Sequence, residues 1–162
     1  MAVQDASRRR VADALNHREP DRIPVDFGGT SVTGIHVSVV AGLRDHFGLE
    51  RRLVKIHEPM QMLGMVDEDL AEALGVDVTG MPRRKAHFGF TFDDWKEWEF
   101  NGLPVLVPGN FNTTTDGNGD TLLYPQGDVT AAPSGRMPKG GYFFDAIIRQ
   151  NHFDPENLNP ED

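Results

Sequence analysis

Residues 26–36 gather most of the side chains in this chain that could bind or turn over a small molecule. Gly28 and Gly29 let a ligand approach the backbone, and Thr30 and Ser31 add hydroxyls that both donate and accept hydrogen bonds. Asp26 stands just ahead of them, either as a polar pocket acid or as the cap of the loop that follows. His36 closes the stretch at the expected start of a helix, where the helix dipole disfavours the imidazolium. It could donate to a substrate carboxylate or act as acid or base, or it could be a packing residue. Asp26, Gly28, Gly29, Thr30, Ser31 and His36 are therefore the candidate substrate-binding residues, against the alternative of a plain turn.

Other constellations are weaker. Asp116-Gly117-Asn118-Gly119-Asp120 places oxygen ligands at alternate positions, like the opening of a calcium loop. It has Thr121 where glycine belongs and Gly127 where a bidentate glutamate belongs, so a hairpin turn explains it better. Gly140 and Gly141 follow the basic Arg136 and Lys139 without a strand-loop-helix phosphate motif around them. His17, His46 and His57 have no partner at metal-ligand spacing and read as surface or packing residues. Met60, Met62 and Met65, and the pair Trp95 and Trp98, read as packing. The chain has no cysteine, which excludes disulfides, thiolate metal sites and cysteine nucleophiles within it. No metal is expected.

The elements that must position these residues follow from periodicity. Residues 7–17 read as a helix with Val11, Ala14 and Leu15 on one face, broken at Pro20. Residues 23–27 read as a strand, and residues 36–47 as a helix stopped by Gly48. Residues 53–56 are a short extended piece. Pro59 then opens a third helix carrying Leu63, Val66, Leu70 and Leu74, and residues 76–81 are the next strand. Strand, helical crossover and strand predict parallel pairing. Beyond Lys85 the pattern changes to an antiparallel β excursion over residues 88–128, with a hairpin turn at Asn101-Gly102 and strands at 103–107 and 121–124. Asp154-Pro155-Glu156 and Asn159-Pro160-Glu161-Asp162 both look like helix starts.

Length and charge bound the rest. A chain of 162 residues suits one domain, and 38% hydrophobic content is enough for a core. The net charge of −9 argues against a nucleic-acid groove. The basic runs at Arg8-Arg9-Arg10 and Arg83-Arg84-Lys85 read as solvated faces. A polar start and the lack of a long apolar run predict no secretory signal and no membrane span, hence a cytoplasmic protein.

Residues 8–25, with the turn Arg18-Glu19-Pro20-Asp21-Arg22, resemble the opening of the uroporphyrinogen decarboxylase family, whose superfamily includes corrinoid-dependent methyltransferases. The resemblance continues through Gly28-Gly29-Thr30-Ser31-Val32-Thr33-Gly34-Ile35-His36, Leu74-Gly75-Val76-Asp77-Val78 and Asp94-Trp95. It extends into residues 134–145, which look like a decarboxylase-like branch with a β insertion. It implies an α/β fold, the N-terminal part of an eight-stranded (β/α)8 TIM barrel with an antiparallel β insertion. Such a barrel typically needs about 250 residues, so only its first part would be present. Residues 1–87 would be the first strand-helix-strand part, 88–145 the insertion with a Gly/Pro loop, and 146–162 the start of the next barrel segment. In such barrels the active site lies at the carboxyl ends of the strands, which is where residues 26–31 would fall.

True uroporphyrinogen decarboxylases carry Arg-Gln-Ala-Gly-Arg-Tyr after the first strand, and its arginines grip substrate carboxylates. This chain has Phe27-Gly28-Gly29-Thr30-Ser31 there, and Val78-Thr79-Gly80-Met81-Pro82 where the family places a catalytic aspartate. The resemblance therefore implies methyl transfer to a corrinoid or thiol rather than decarboxylation, with zinc and corrinoid as cofactors of a complete parent enzyme and none held by this chain. The expected partner is a small-molecule substrate, with no nucleic acid and no membrane. A partial barrel with open edges is also expected to self-associate, and the rival expectation is a non-catalytic binding or assembly module completing a barrel with a separate chain.

Overall fold

A computed structural model describes residues 2–81 and 84–148. Two β-sheets dominate it. The first is a mixed five-stranded sheet built from β1 (Ile35–His36), β2 (Val54–Glu58), β3 (Leu63–Gly64), β4 (Trp95–Phe100) and β5 (Leu103–Pro108), in the order β1-β3-β2-β5-β4. The second is antiparallel: β6 (Thr113–Thr115), β7 (Thr121–Leu123), β8 (Gly135–Met137) and β9 (Asp145–Ala146), paired in sequence order. Among the described residues three α-helices accompany them: α1 (Ala2–Leu15), α2 (Val37–His46) and α3 (Glu68–Ala73).

This architecture overturns the TIM-barrel expectation, and with it the decarboxylase-like barrel segment. The first and second expected barrel strands are not strands. In residues 23–27 Pro24 has no N–H to give, and the Val25 N–H is taken by the Asp77 side chain at 3.0 Å. Beside that side-chain bond, one backbone bond among the described residues, Asp77 N–H to Val25 O at 2.8 Å, links residues 23–27 to 76–81. The helix expected after Pro59 is replaced by a turn and β3. The Glu58 carboxylate accepts from the N–H groups of Met60 and Gln61, and Met62 takes a left-handed φ of 56°. Leu63 and Gly64 then pair with β1 on one side and β2 on the other, so Leu63 joins a sheet and the helix is shortened to α3. The one parallel pairing among the described strands is β2 with β5, in register Val54 to Val105.

The Asn101-Gly102 turn joins β4 and β5 in an antiparallel ladder from Trp95–Pro108 to Phe100–Leu103, with φ of 47° and 82° at its two central residues. The turn at 116–120 joins β6 and β7. The Asp116 carboxylate there accepts from the N–H groups of Asn118 and Asp120, so its oxygens shape the turn. Asp120 accepts from the Arg136 guanidinium and from the Lys139 backbone N–H, so the Arg136 side chain considered for phosphate is engaged. Arg84 and Lys85 are exposed; Arg83 and the two helix starts after residue 153 lie outside the described residues.

One hydrophobic core spans both sheets. Val37 and Val40 of α2, Val54 and Ile56 of β2, and Val105 and Val107 of β5 pack with Phe90, Phe111, Leu123, Met137 and Phe144. Residues before and after position 88 thus share one interior. Period-two alternation sorts β2: Val54, Ile56 and Glu58 are buried while Lys55 is exposed and His57 half-buried. Among the described residues no helix is long and apolar enough to cross a membrane.

Buried arginine–aspartate pairs tie the helices down. Arg44 of α2 is buried and forks onto Asp69 of α3 with two contacts of 2.9 Å, while donating to the Glu50 carbonyl at 2.7 Å. The Arg44 hydrogen bonds hold the Asp69 carboxyl well below the usual carboxylate range, and burial only partly opposes them. Asp120 is also lowered, first by the Lys139 N–H and then by Arg136. A depressed folded-state value means that the stabilisation is complete above the unfolded aspartate value, about 3.9, and is lost as pH falls through the folded values below it. Stability should therefore be level from neutral pH down to about pH 5 and decline steeply below about pH 4. Urea unfolding at pH 3 and pH 6 checks this, and Asp69→Asn should flatten the acid limb; an unchanged limb would remove Asp69 from the account.

Candidate functional site

Residues 27–31 and 76–81 run side by side although neither forms a strand, and the gap between them, β4 and the segment before α3 is a cleft of about 270 Å³. Gly80 permits the close approach, since a Cβ there would meet the Gly29 carbonyl oxygen at 2.5 Å. Phe27, Gly28, Gly29, Thr30 and Ser31 form one wall, and Val76, Val78, Thr79, Gly80 and Met81 the other. Met65, Val66 and Ala71 close one end, and His57, Phe92 and Trp95 contribute from the sheet side. The Phe92 and Trp95 rings stack, with centroids 5.6 Å apart and planes 16° apart. The Lys55 ammonium sits 5.1 Å from the Trp95 ring centroid.

The wall at 27–31 is held by its own polar network. Asp26 accepts from the Gly29 N–H at 3.0 Å and from the Thr33 hydroxyl at 3.1 Å. Of its two sequence-derived roles, this is the loop cap. The Thr30 hydroxyl accepts from the N–H groups of Val32 and Thr33, and the Gly28 N–H donates to the Thr33 carbonyl at 2.8 Å. These bonds fix the loop so that Gly28, Gly29, Thr30 and Ser31 face the cleft.

His36 lies elsewhere. Its ring packs against Phe100 and Tyr142 at 5.3 and 6.0 Å, and Nε2 lies 2.9 Å from the Tyr142 carbonyl oxygen. A carbonyl can only accept, so Nε2 carries a proton. Nδ1 then accepts from the Ser38 N–H at 3.3 Å and caps α2. Four of the six candidate residues thus line the cleft, Asp26 supports it from behind, and His36 joins α2 to residue 142.

Sequence reasoning missed His57, Phe92 and Trp95 as cleft residues. The signal for Trp95 was present. Residues three apart on a strand point to opposite faces, so Trp95 and Trp98 cannot share one packing role. Trp98 packs against the core with its ring 5.3 Å from Phe111, and Trp95 faces the cleft. The methionines divide likewise: Met62 is buried in the core, and Met65 lines the cleft.

Among the described residues there is no group of three His, Cys, Asp or Glu side chains placed to hold a metal ion. A scan against protein-family models, a search of curated proteins and a search of solved structures each find no match to this chain.

Proposed function

We propose that the cleft between residues 27–31 and 76–81 is a binding site for a small, mainly apolar molecule. The observation that carries this reading is the assembly of an open apolar hollow, walled by Val66, Val78 and the stacked Phe92 and Trp95, beside a loop whose backbone is already fixed by hydrogen bonds. A concave, mostly apolar, preformed site with a few polar groups at its rim is the usual form of a small-molecule pocket. Met65 and Met81 suit such a role because unbranched thioethers adapt to the shape of a ligand. The chemistry that the sequence resemblance implies for a ligand held here is methyl transfer in a cytoplasmic enzyme, with this cleft as the substrate-binding part.

N-phenyl-1-naphthylamine, an uncharged dye that brightens in apolar surroundings, tests the site. Ser31→Trp should fill the mouth and Trp95→Ala should remove a wall. Each is expected to weaken dye binding by about tenfold, the loss of one well-placed aromatic contact or of access. Thermal unfolding of both variants should stay close to that of the unsubstituted chain, since Ser31 and Trp95 are only half-buried. Dye affinity unchanged in both variants would show that the dye, and the proposed ligand, do not use this cleft.

A further inference from the structure

The described lining of the cleft carries no carboxylate, ammonium or guanidinium. Phe27, Val66, Val78 and Met81 are apolar, and its neutral polar groups are the hydroxyls of Thr30, Ser31 and Thr79. Among the described residues no lysine, arginine, aspartate or glutamate lines it, and His57 is the titratable side chain that does. The Asp26 carboxylate backs the 28–31 loop, accepting from the Gly29 N–H and the Thr33 hydroxyl. The Lys55 ammonium is engaged with the ring of Trp95 and does not line the hollow. An anion entering here would shed water with no cation among the described lining residues to replace it, a cost that normally exceeds what a neutral hydrogen bond returns. The nearly parallel Phe92 and Trp95 rings, on the other hand, present a flat surface to which a third ring can add with little loss of conformational freedom.

On this ground, and resting on the binding-site reading above, we propose that the ligand of the cleft is an uncharged molecule with a flat aromatic portion that packs on the Phe92–Trp95 pair and a hydroxyl or amide edge that reaches Ser31 and Thr79. Carboxylate-rich and phosphorylated molecules are the ligands that this described lining disfavours.

Two matched pairs of probes test charge and flatness separately. N-phenyl-1-naphthylamine and 8-anilino-1-naphthalenesulfonate differ by one sulfonate. The neutral dye should bind the cleft at least about tenfold more tightly. Thr79→Arg, which places a cation at the exposed rim, should bring the two affinities together or reverse their order. That reversal separates charge exclusion from the simple greater oiliness of the neutral dye. As competitors, planar 2-naphthol should displace the dye about threefold to tenfold better than its saturated analogue decahydro-2-naphthol, the range expected of one aromatic pair. Equal binding of both dyes, a dye ratio that Thr79→Arg leaves unmoved, or equal competition by the saturated alcohol would each overturn the proposal. In those cases dye binding that still responds to Ser31→Trp would leave the binding site itself standing. If neither dye responds to Ser31→Trp or Trp95→Ala, the site and its ligand class fall together.

Discussion

Phe111→Ala is expected to destabilise the protein by about 3–5 kcal/mol, the cost of removing a large aromatic side chain from a packed interior. Phe111 is 1% exposed and packs against three aromatic rings. Its ring lies 5.5 Å from Phe90, 5.3 Å from Trp98 and 6.3 Å from Phe144. Phe90 comes from the segment ahead of β4, Trp98 from β4 itself, and Phe144 from the approach to β9. Phe111 itself stands between the two sheets, just after β5 and just before β6. Truncation therefore leaves a cavity at the junction of the sheets, and few of its neighbours can collapse into it without moving a strand. The effect should be read from the urea midpoint with the slope unchanged. Phe111→Leu, which keeps most of the volume, should cost clearly less. A loss below about 1 kcal/mol in Phe111→Ala would mean that the two sheets do not share one core.

The elements legible in the sequence are those set by local chemistry. The Asn101-Gly102 hairpin was readable because few residue pairs accept two positive φ angles in succession. Helix α2 was readable from Val40 and Leu43 and its Gly48 stop, and β2 from the short apolar run at 53–56. The elements that were not legible depend on distant partners. Leu63 and Gly64 satisfy a helical period as well as a strand, and only pairing with β1 and β2 decides between them. The β2–β5 pairing joins residues some fifty positions apart, and no local signal marks it. Residues 23–27 and 76–81 have the composition of strands, yet Pro24 and the side chain of Asp77 divert the hydrogen bonds a ladder would need. The candidate site shows the same division. Residues 28–31 announce themselves by type, whereas His57, Phe92 and Trp95 join them only once the sheet is assembled.

Asp77→Ala should be nearly as damaging as the core truncation, through a different mechanism. The Asp77 carboxylate is fully buried at the meeting point of three segments. It accepts from Ser7 at 2.8 Å and from Arg10, both on α1, from the guanidinium of Arg22 at 2.8 Å, and from the Val25 N–H at 3.0 Å. Burial pushes this carboxyl up, but the bonds from Val25, Ser7 and Arg10 outweigh it and hold the group below its ordinary value. Removing it leaves the part-buried Val25 N–H without its acceptor and frees the charge of Arg10, whose side chain is 8% exposed. Breaking a buried pair from one side costs about 3–5 kcal/mol, and the lower end applies here because Arg10 keeps its two-pronged contact with the exposed Asp21, at 2.6 and 2.7 Å. The loss should also reach the cleft. Asp77 lies between Val76 and Val78, both cleft residues, and it is the bond acceptor that holds residues 23–27 beside them. Asp77→Ala is therefore expected to weaken binding of N-phenyl-1-naphthylamine as well as stability, while Asp77→Asn, which retains an acceptor oxygen for Val25, should keep more of both. Amide exchange gives the sharpest reading, because the Val25 N–H should exchange slowly in the unsubstituted chain and fast in Asp77→Ala. Slow exchange persisting in Asp77→Ala would mean that this carboxylate does not hold the cleft wall in place.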